Sequence, residues 1–229
     1  MKKLSYNQVK RIAANLFINS GASFRIITAS KEIDEWLEQR RHELKTKGQN
    51  PEWAKIGVIL DDPYIVILRD LVEFPGGNRG GYIRLYNRAY LEKGAAGVVA
   101  MPVKEKKVLL MHNFRHATRS WHWEIPRGFG EPGVSAENQA RAEIQEEIGV
   151  EVIKLEDLGV YFNNTGLEGN PITLFVVQIA GEPVIKYEIG IDALRWVSVE
   201  ELERMIANAE ITDGFTIAAY TRAKLKGLI

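Results

Sequence analysis

The sequence predicts an α+β fold, a mixed α/β/α sandwich carrying an N-terminal helical extension, and three observations predict it. The middle of the chain is rich in β-branched, alternating segments bounded by Gly, Pro and Asn clusters. Amphipathic helical segments interrupt that strand-rich region instead of following it as a block. Before about residue 50 the apolar residues recur at helical spacing, and the strand signal is confined to one short segment.

In the first segment Val9, Ile12, Ala13, Leu16 and Phe17 fall at helical spacing, and residues 23–29 read as a short strand. Ser30 reads as an N-cap for a charged helix through Ile33, Trp36, Leu37, Arg40 and Leu44 that stops near Gly48. We therefore expect residues 1–50 to be a mostly helical extension and residues 51–229 to be the main domain. Within it, residues 56–90 supply the first strands and a possible dimer element. Strands are expected at 64–69 and 82–86 around the Gly-rich turn 76–81, then at 97–103 and 107–113. A helix is expected over about 135–148, with Gly149 as its C-cap. Further strands are expected at 152–162, 171–179 and 193–197. Ser198 caps a helix through Ile206, and Asp213 caps the last one, through Tyr220 to Leu225.

Composition narrows the function. The 229 residues hold 45% hydrophobic and 26% charged residues, an ordinary globular balance. Thirty basic residues offset thirty acidic ones, so no net field selects nucleic acid or an anionic membrane. The absence of cysteine rules out disulfides, thiolate metal sites and cysteine nucleophiles, and is compatible with the cytoplasm. The N-terminus lacks the apolar run of a signal peptide, and no apolar stretch reaches the roughly 18–20 residues of a membrane span.

The chemistry concentrates in residues 141–150. Glu143, Glu146 and Glu147 stand at i, i+3 and i+4, on one face of a helix. Like charges so placed repel by a few tenths of a kcal/mol per exposed pair. They suit a hard divalent cation that takes oxygen ligands. Upstream, Glu124-Ile125-Pro126-Arg127-Gly128-Phe129-Gly130 is a loop able to bring backbone carbonyls and amides to that helix. Taken without context, three glutamates on a helix are more often a solvated face, as charged runs usually are.

Context decides between these readings. Gly128, Glu143, Ile144, Glu146, Glu147, Gly149 and Val150 fall in register with the Nudix box, a loop–helix–loop motif. Val134 stands where that pattern has its first Glu, and Ala142 where it has Arg. Arg141 lies about 100° away around the helix and is no simple replacement. The two missing residues have opposite charge, so their joint loss orphans neither. Residues 56–227 resemble the ADP-ribose pyrophosphatase branch of the Nudix hydrolases. The aliphatic strand ending His112-Asn113-Phe114-Arg115 is similar to that branch's strand ending in Gln-Tyr-Arg. Glu124-Ile125-Pro126-Arg127-Gly128 is similar to its Glu-Leu-Pro-Ala-Gly, and residues 196–202 and 211–214 match its C-terminal pattern.

The resemblance implies a Nudix fold and metal-dependent hydrolysis of a nucleoside diphosphate linked to another moiety, with Mg²⁺ or Mn²⁺ as cofactor. ADP-ribose is the first substrate implied, giving AMP and ribose 5-phosphate. Glu143 and Glu147 are the first choice of metal ligands, joined by Glu146 and by the backbone carbonyl of Arg127. Glu168, the ionisable residue of loop 163–170, is the candidate general base or additional ligand, with Glu188 a weaker one. Arg115, Glu124, Arg127 and Phe129 are the candidate substrate-binding residues, and Trp121 and Trp123 could also stack a base. The bland alternatives are a surface ion pair for Arg115, a structural partner of the loop for Glu124, a core or rim position for the aromatics and an exposed loop position for Glu168. The spacing of His112, His116 and His122 matches no zinc pattern. Partners implied are a small nucleotide derivative and a second copy of the chain, with no nucleic acid and no membrane. The competing reading, motivated by Val134 and Ala142, is a weak or inactive module that binds a nucleotide or a protein.

Overall fold

The computed structural model describes residues 3–185 and 190–229. The chain divides into two compact units, residues 1–94 with 164–170, and residues 95–163 with 171–229.

The first unit is an antiparallel sheet with helices. Its elements are α1 (Tyr6–Ile12), β1 (Arg25–Ile27), α2 (Ser30–Thr46), β2 (Gly57–Asp61), β3 (Ile65–Glu73), β4 (Arg79–Asn87) and α3 (Arg88–Lys93). Ser5 and Gln8 form a reciprocal capping box on α1. The expected cap at Ser30 is corrected: Ser30 is already helical, and Ala29 caps α2 without a side-chain hydrogen bond. β4 lines one edge of β3 along its whole length, while β2 and β1 divide the other edge. The extension thus contributes a strand to this sheet. Val9, Ala13, Val66, Leu68, Tyr86 and Leu91 form the unit's core.

A charged centre sits inside this unit. Asp70, buried, accepts from the Tyr6 hydroxyl at 2.5 Å and from Arg84 Nε at 2.5 Å. Arg84 Nη1 also donates to the Leu16 carbonyl and the Tyr86 hydroxyl. One carboxylate and one guanidinium therefore join α1, the turn after it, β3 and β4. The loop 164–170 docks on the same strand: Leu85 N–H donates to the Leu167 carbonyl, Gly169 N–H to the Leu85 carbonyl, and Asn87 N–H to Asn170 Oδ1.

The second unit has seven strands: β5 (Gly97–Lys104), β6 (Lys107–Arg115), β7 (Ser120–Glu124), β8 (Arg127–Gly128), β9 (Glu151–Tyr161), β10 (Ile172–Ala180) and β11 (Ile191–Ser198). The main path runs β11-β6-β5-β10-β9, with β5 and β10 parallel. Its helices are α4 (Ala136–Ile148), α5 (Val199–Ala207) and α6 (Gly214–Leu225). Ser135, Ser198 and Asp213 cap them as side-chain acceptors, and Gly149 ends α4 in the left-handed conformation. Strand alternation sorts the core into two layers. Val99, Met101, Val108 and Leu110 face α5 and α6, while Val98, Ala100, Leu109 and Met111 face α4. Both faces are covered, which is why β5 is apolar at successive positions.

The local feature that positions the site is a fork. β5 and β6 pair only beside their hairpin, at Val103↔Val108 and Lys104↔Lys107. Beyond that they separate, and residues 120–128 enter between them, β7 pairing with β6 and β8 with β5. The Ala100 N–H donates to the Pro126 carbonyl at 2.9 Å, closing the wedge. The sequence reading missed β7, β8 and α3 because each is short.

Burial and the adjacent Asp70 carboxylate hold the Tyr6 phenol far above its ordinary range. The folded state therefore retains a proton that the unfolded chain releases near pH 10, so stability falls as pH rises above about 10. Tyr6→Phe is expected to flatten that alkaline slope and to cost about 2 kcal/mol at neutral pH, in the range for a hydrogen bond to a charged group. Urea titrations of both proteins across pH 7–11 measure each effect.

Candidate active site

The acidic helix presents its three glutamates unequally. Ala140, Ile144 and Ile148 form the fully buried stripe that packs α4 on the sheet. Gln139, Glu143 and Glu147 each precede a member of that stripe by one residue and so form a parallel row at its margin. Glu147 is 8% exposed and Glu143 is half-buried. Glu146 stands one step farther round and is exposed. Gln139 Nε2 donates to Glu143 Oε1 at 2.7 Å, fixing that carboxylate from one turn below.

The wedge meets this row. The backbone N–H of Arg127 donates to Glu147 Oε2 at 3.3 Å. Gly128 lies directly against Glu143, where a Cβ would overlap the carboxylate. A side chain here would force the Glu143 carboxylate to move. Gly130 is confined by backbone, since a Cβ there would meet the Ala96 carbonyl.

Behind the wedge lies a buried ionic network. Glu124, 1% exposed, accepts from Asn113 Nδ2 at 2.9 Å, from Arg115 Nε at 3.1 Å and Nη2, and from Arg127 Nη2 at 3.2 Å. Strand pairing explains the convergence. Glu124 opposes Met111 on β6, and Asn113 and Arg115 follow Met111 at the strand period on the α4 side. Arg127 Nη1 continues to Asp213 Oδ1 at 2.8 Å, and its guanidinium lies 4.9 Å from the centroid of the Phe215 ring. Asp213 Oδ2 caps α6 by accepting from Thr216 N–H and Oγ1–H, and Thr216 Oγ1 accepts from Ile125 N–H at 3.2 Å.

The candidates named from sequence fall into groups. Glu143, Glu147, Arg127, Arg115 and Glu124 share one unit and one connected region of it. With three residues donating to its carboxylate, Glu124 orients the two arginines. Arg115 holds Glu124 while remaining about one-third exposed, and Phe129 is 64% exposed. Glu168 belongs to the first unit, where it bridges to Leu85. Glu188 lies outside the described residues. Arg141 donates to the Val152 carbonyl at 2.6 Å, an engagement with β9 that keeps it from replacing the arginine expected at Ala142. Val134, at the other departure from the pattern, is exposed.

The histidines have separate partners: His112 binds Asp192, His116 pairs with Arg119, and His122 contacts Thr118, Ser120 and Thr212. His112 also packs on the rings of Trp121 and Trp123, which explains those aromatics as one face of the β6–β7 hairpin. In the sequence Asn113 stands out only as part of the strand that carries the resemblance, and the sequence reading gives no role to it or to Thr216. The alternation of β6 is a signal for the side that Asn113 faces.

Among the described residues no three His, Asp or Glu side chains converge as a metal cage. The donors at hand are two carboxylates one turn apart beside the half-buried backbone of β8. That set fits a hard cation of the Mg²⁺ type, which keeps waters and takes substrate phosphate oxygens in its remaining positions. The glycine contact at Gly128, which leaves the Glu143 carboxylate room against the backbone, supports that fit.

The NUDIX domain model matches residues 92–216, more than half of the chain. The chain belongs to the Nudix family. An ADP-ribose pyrophosphatase of Bacillus subtilis (strain 168) is 26% identical over 136 residues, spanning 58% of this chain and 73% of that protein. A CMP-5'-(N-acetyl-N-hydroxy-3-aminopropyl)phosphonate hydrolase of Streptomyces rubellomurinus (strain ATCC 31215) is 21% identical over 164 residues, spanning 70% of this chain and 76% of that protein. The crystal structure of an ADP compounds hydrolase shares the fold with a TM-score of 0.62 and 19% identity, covering 75% of this chain and 91% of that one. The chain is thus a Nudix hydrolase similar to ADP-ribose pyrophosphatases. Among the described residues no helix is long and apolar enough to cross a membrane.

Removing Glu124 leaves two arginines without their shared counter-ion inside the wedge. Glu124→Ala is expected to cost about 3–5 kcal/mol, the usual penalty for breaking a buried pair. Chemical denaturation of the variant beside wild type checks it.

Proposed function

We propose that this Nudix hydrolase cleaves the pyrophosphate bond of a nucleoside diphosphate linked to another moiety, with ADP-ribose the first substrate to test. Its products would be AMP and ribose 5-phosphate. The observation that carries this reading is the seating of Gly128 and the Arg127 N–H against Glu143 and Glu147. It joins the backbone of β8 to two carboxylates at one place, as a phosphate-bearing substrate with a hard cation requires.

Glu143 and Glu147 would hold Mg²⁺ or Mn²⁺, with the Arg127 carbonyl joining them and Glu146 acting directly or through water. When bound, the cation supplies charge neutralisation at the phosphate oxygens and makes water a stronger nucleophile. Arg115, held by Glu124 yet partly exposed, would receive a phosphate oxygen through its planar fork of donors. Phe129, exposed beside the turn, would pack against the leaving moiety. Glu168 is proposed as general base or further ligand. A homodimer and a cytoplasmic setting complete the reading. The nucleotide-linked substrates in the names of both relatives support it, one a sugar diphosphate and the other a phosphonate.

Turnover of ADP-ribose, sugar nucleotides, dinucleotides and CMP-linked phosphonates, with Mg²⁺ or Mn²⁺, is the first measurement. At least one ADP-ribose-like compound is expected to be cleaved, and inactivity on the whole set would sink the proposal. Glu147→Gln is expected to lose at least ~100-fold in turnover with its circular dichroism unchanged. Near-normal activity in that variant would place the chemistry elsewhere. Glu168→Gln isolates the base: a loss of about 10²–10⁴ in kcat is expected from a general base, and an unchanged kcat would return Glu168 to the loop surface.

A further inference from the structure

We infer that Asp213, at the head of α6, is a positioning residue that tunes the cation affinity of Glu147, acting through the side chain of Arg127. The inference rests on the metal reading above. Where the similar motif carries alanine, this chain carries Arg127, whose side chain is anchored at three points. Nη1 meets Asp213 Oδ1 at 2.8 Å, Nη2 meets Glu124 Oε2 at 3.2 Å, and the guanidinium faces the Phe215 ring. The same residue's backbone N–H reaches Glu147 Oε2. One residue therefore touches α6 through its side chain and α4 through its main chain.

A second tie makes the coupling stiff. Asp213 Oδ2 accepts from Thr216 N–H at 2.9 Å and Oγ1–H at 2.7 Å, and Thr216 Oγ1 in turn accepts from Ile125 N–H. Thr216 is fully buried and the Asp213 side chain is 10% exposed, so both contacts are largely shielded from water. The stretch Ile125-Pro126-Arg127 is gripped at both ends from the first turn of α6. Gly128, the next residue, lies against the Glu143 carboxylate, where a Cβ would overlap it. A shift of this stretch therefore changes the hydrogen bond on Glu147 and the space beside Glu143 together. Groups that orient metal ligands without touching the ion commonly account for 10–100-fold in affinity.

Mn²⁺ binding followed by electron paramagnetic resonance, with no substrate present, reads this directly. Asp213→Ala is expected to weaken the Mn²⁺ Kd by about 10-fold or more. Asp213→Asn, which keeps an acceptor for the Thr216 cap, is expected to fold normally and to weaken it by a smaller factor. Ser198→Ala removes a comparable cap from α5 without touching residues 125–128, and is expected to lower Tm while leaving the Mn²⁺ Kd unchanged. Wild-type affinity in both Asp213 variants, or an equal loss in Ser198→Ala, would overturn the inference while leaving the metal reading intact. A wild-type protein that binds no Mn²⁺ would overturn the metal reading and this inference with it.

Discussion

Burial of the Glu124 carboxylate between Asn113, Arg115 and Arg127 is the interaction on which the rest of the site depends. An ionised carboxylate out of water costs several kcal/mol unless it is paired and hydrogen-bonded. Here both oxygens have donors from β6, while Arg127 lies three residues along the same wedge. The satisfied network fixes where residues 120–128 enter the fork between β5 and β6. From that position the main chain at Arg127 and Gly128 meets the Glu143 and Glu147 row of α4. A wedge held less firmly would leave the two carboxylates facing solvent as an ordinary charged helix margin.

The helix itself divides labour along its length. Ala140, Ile144 and Ile148 anchor it to the sheet, and the neighbouring row offers the carboxylates at the edge of that contact. Packing and chemistry thus use adjacent rows of one helix, one residue out of step. Glu147 is close enough to the core to be oriented by a main-chain N–H, whereas Glu146 is exposed. The two departures from the family pattern fall outside this arrangement: Val134 is exposed, and Arg141 beside Ala142 is occupied with β9.

Much of this was legible in the sequence because the signals were local. Ser198 and Asp213 announced their caps, Gly149 its left-handed turn, and the i, i+3, i+4 spacing its shared face. Strands were legible at 97–103, 107–113, 152–162 and 171–179. What stayed hidden was set by pairing over distance. β7 and β8 are too short to carry a periodic signal and exist because the fork offers them partners. The role of Asp213 as an arginine anchor depends on Arg127, far away in sequence. The burial of Glu124 depends on its pairing with β6, which no local signal shows. Ser30 failed as a cap because the helix began one residue earlier, where Ala29 already supplies the needed carbonyl.

The central claim is that the wedge and α4 together form a single cation site. Anomalous diffraction from crystals of the protein equilibrated with Mn²⁺ tests it most directly. The account predicts a manganese peak within bonding distance of Glu143, Glu147 and the Arg127 carbonyl. A peak held by other residues, with none at this place, would contradict it.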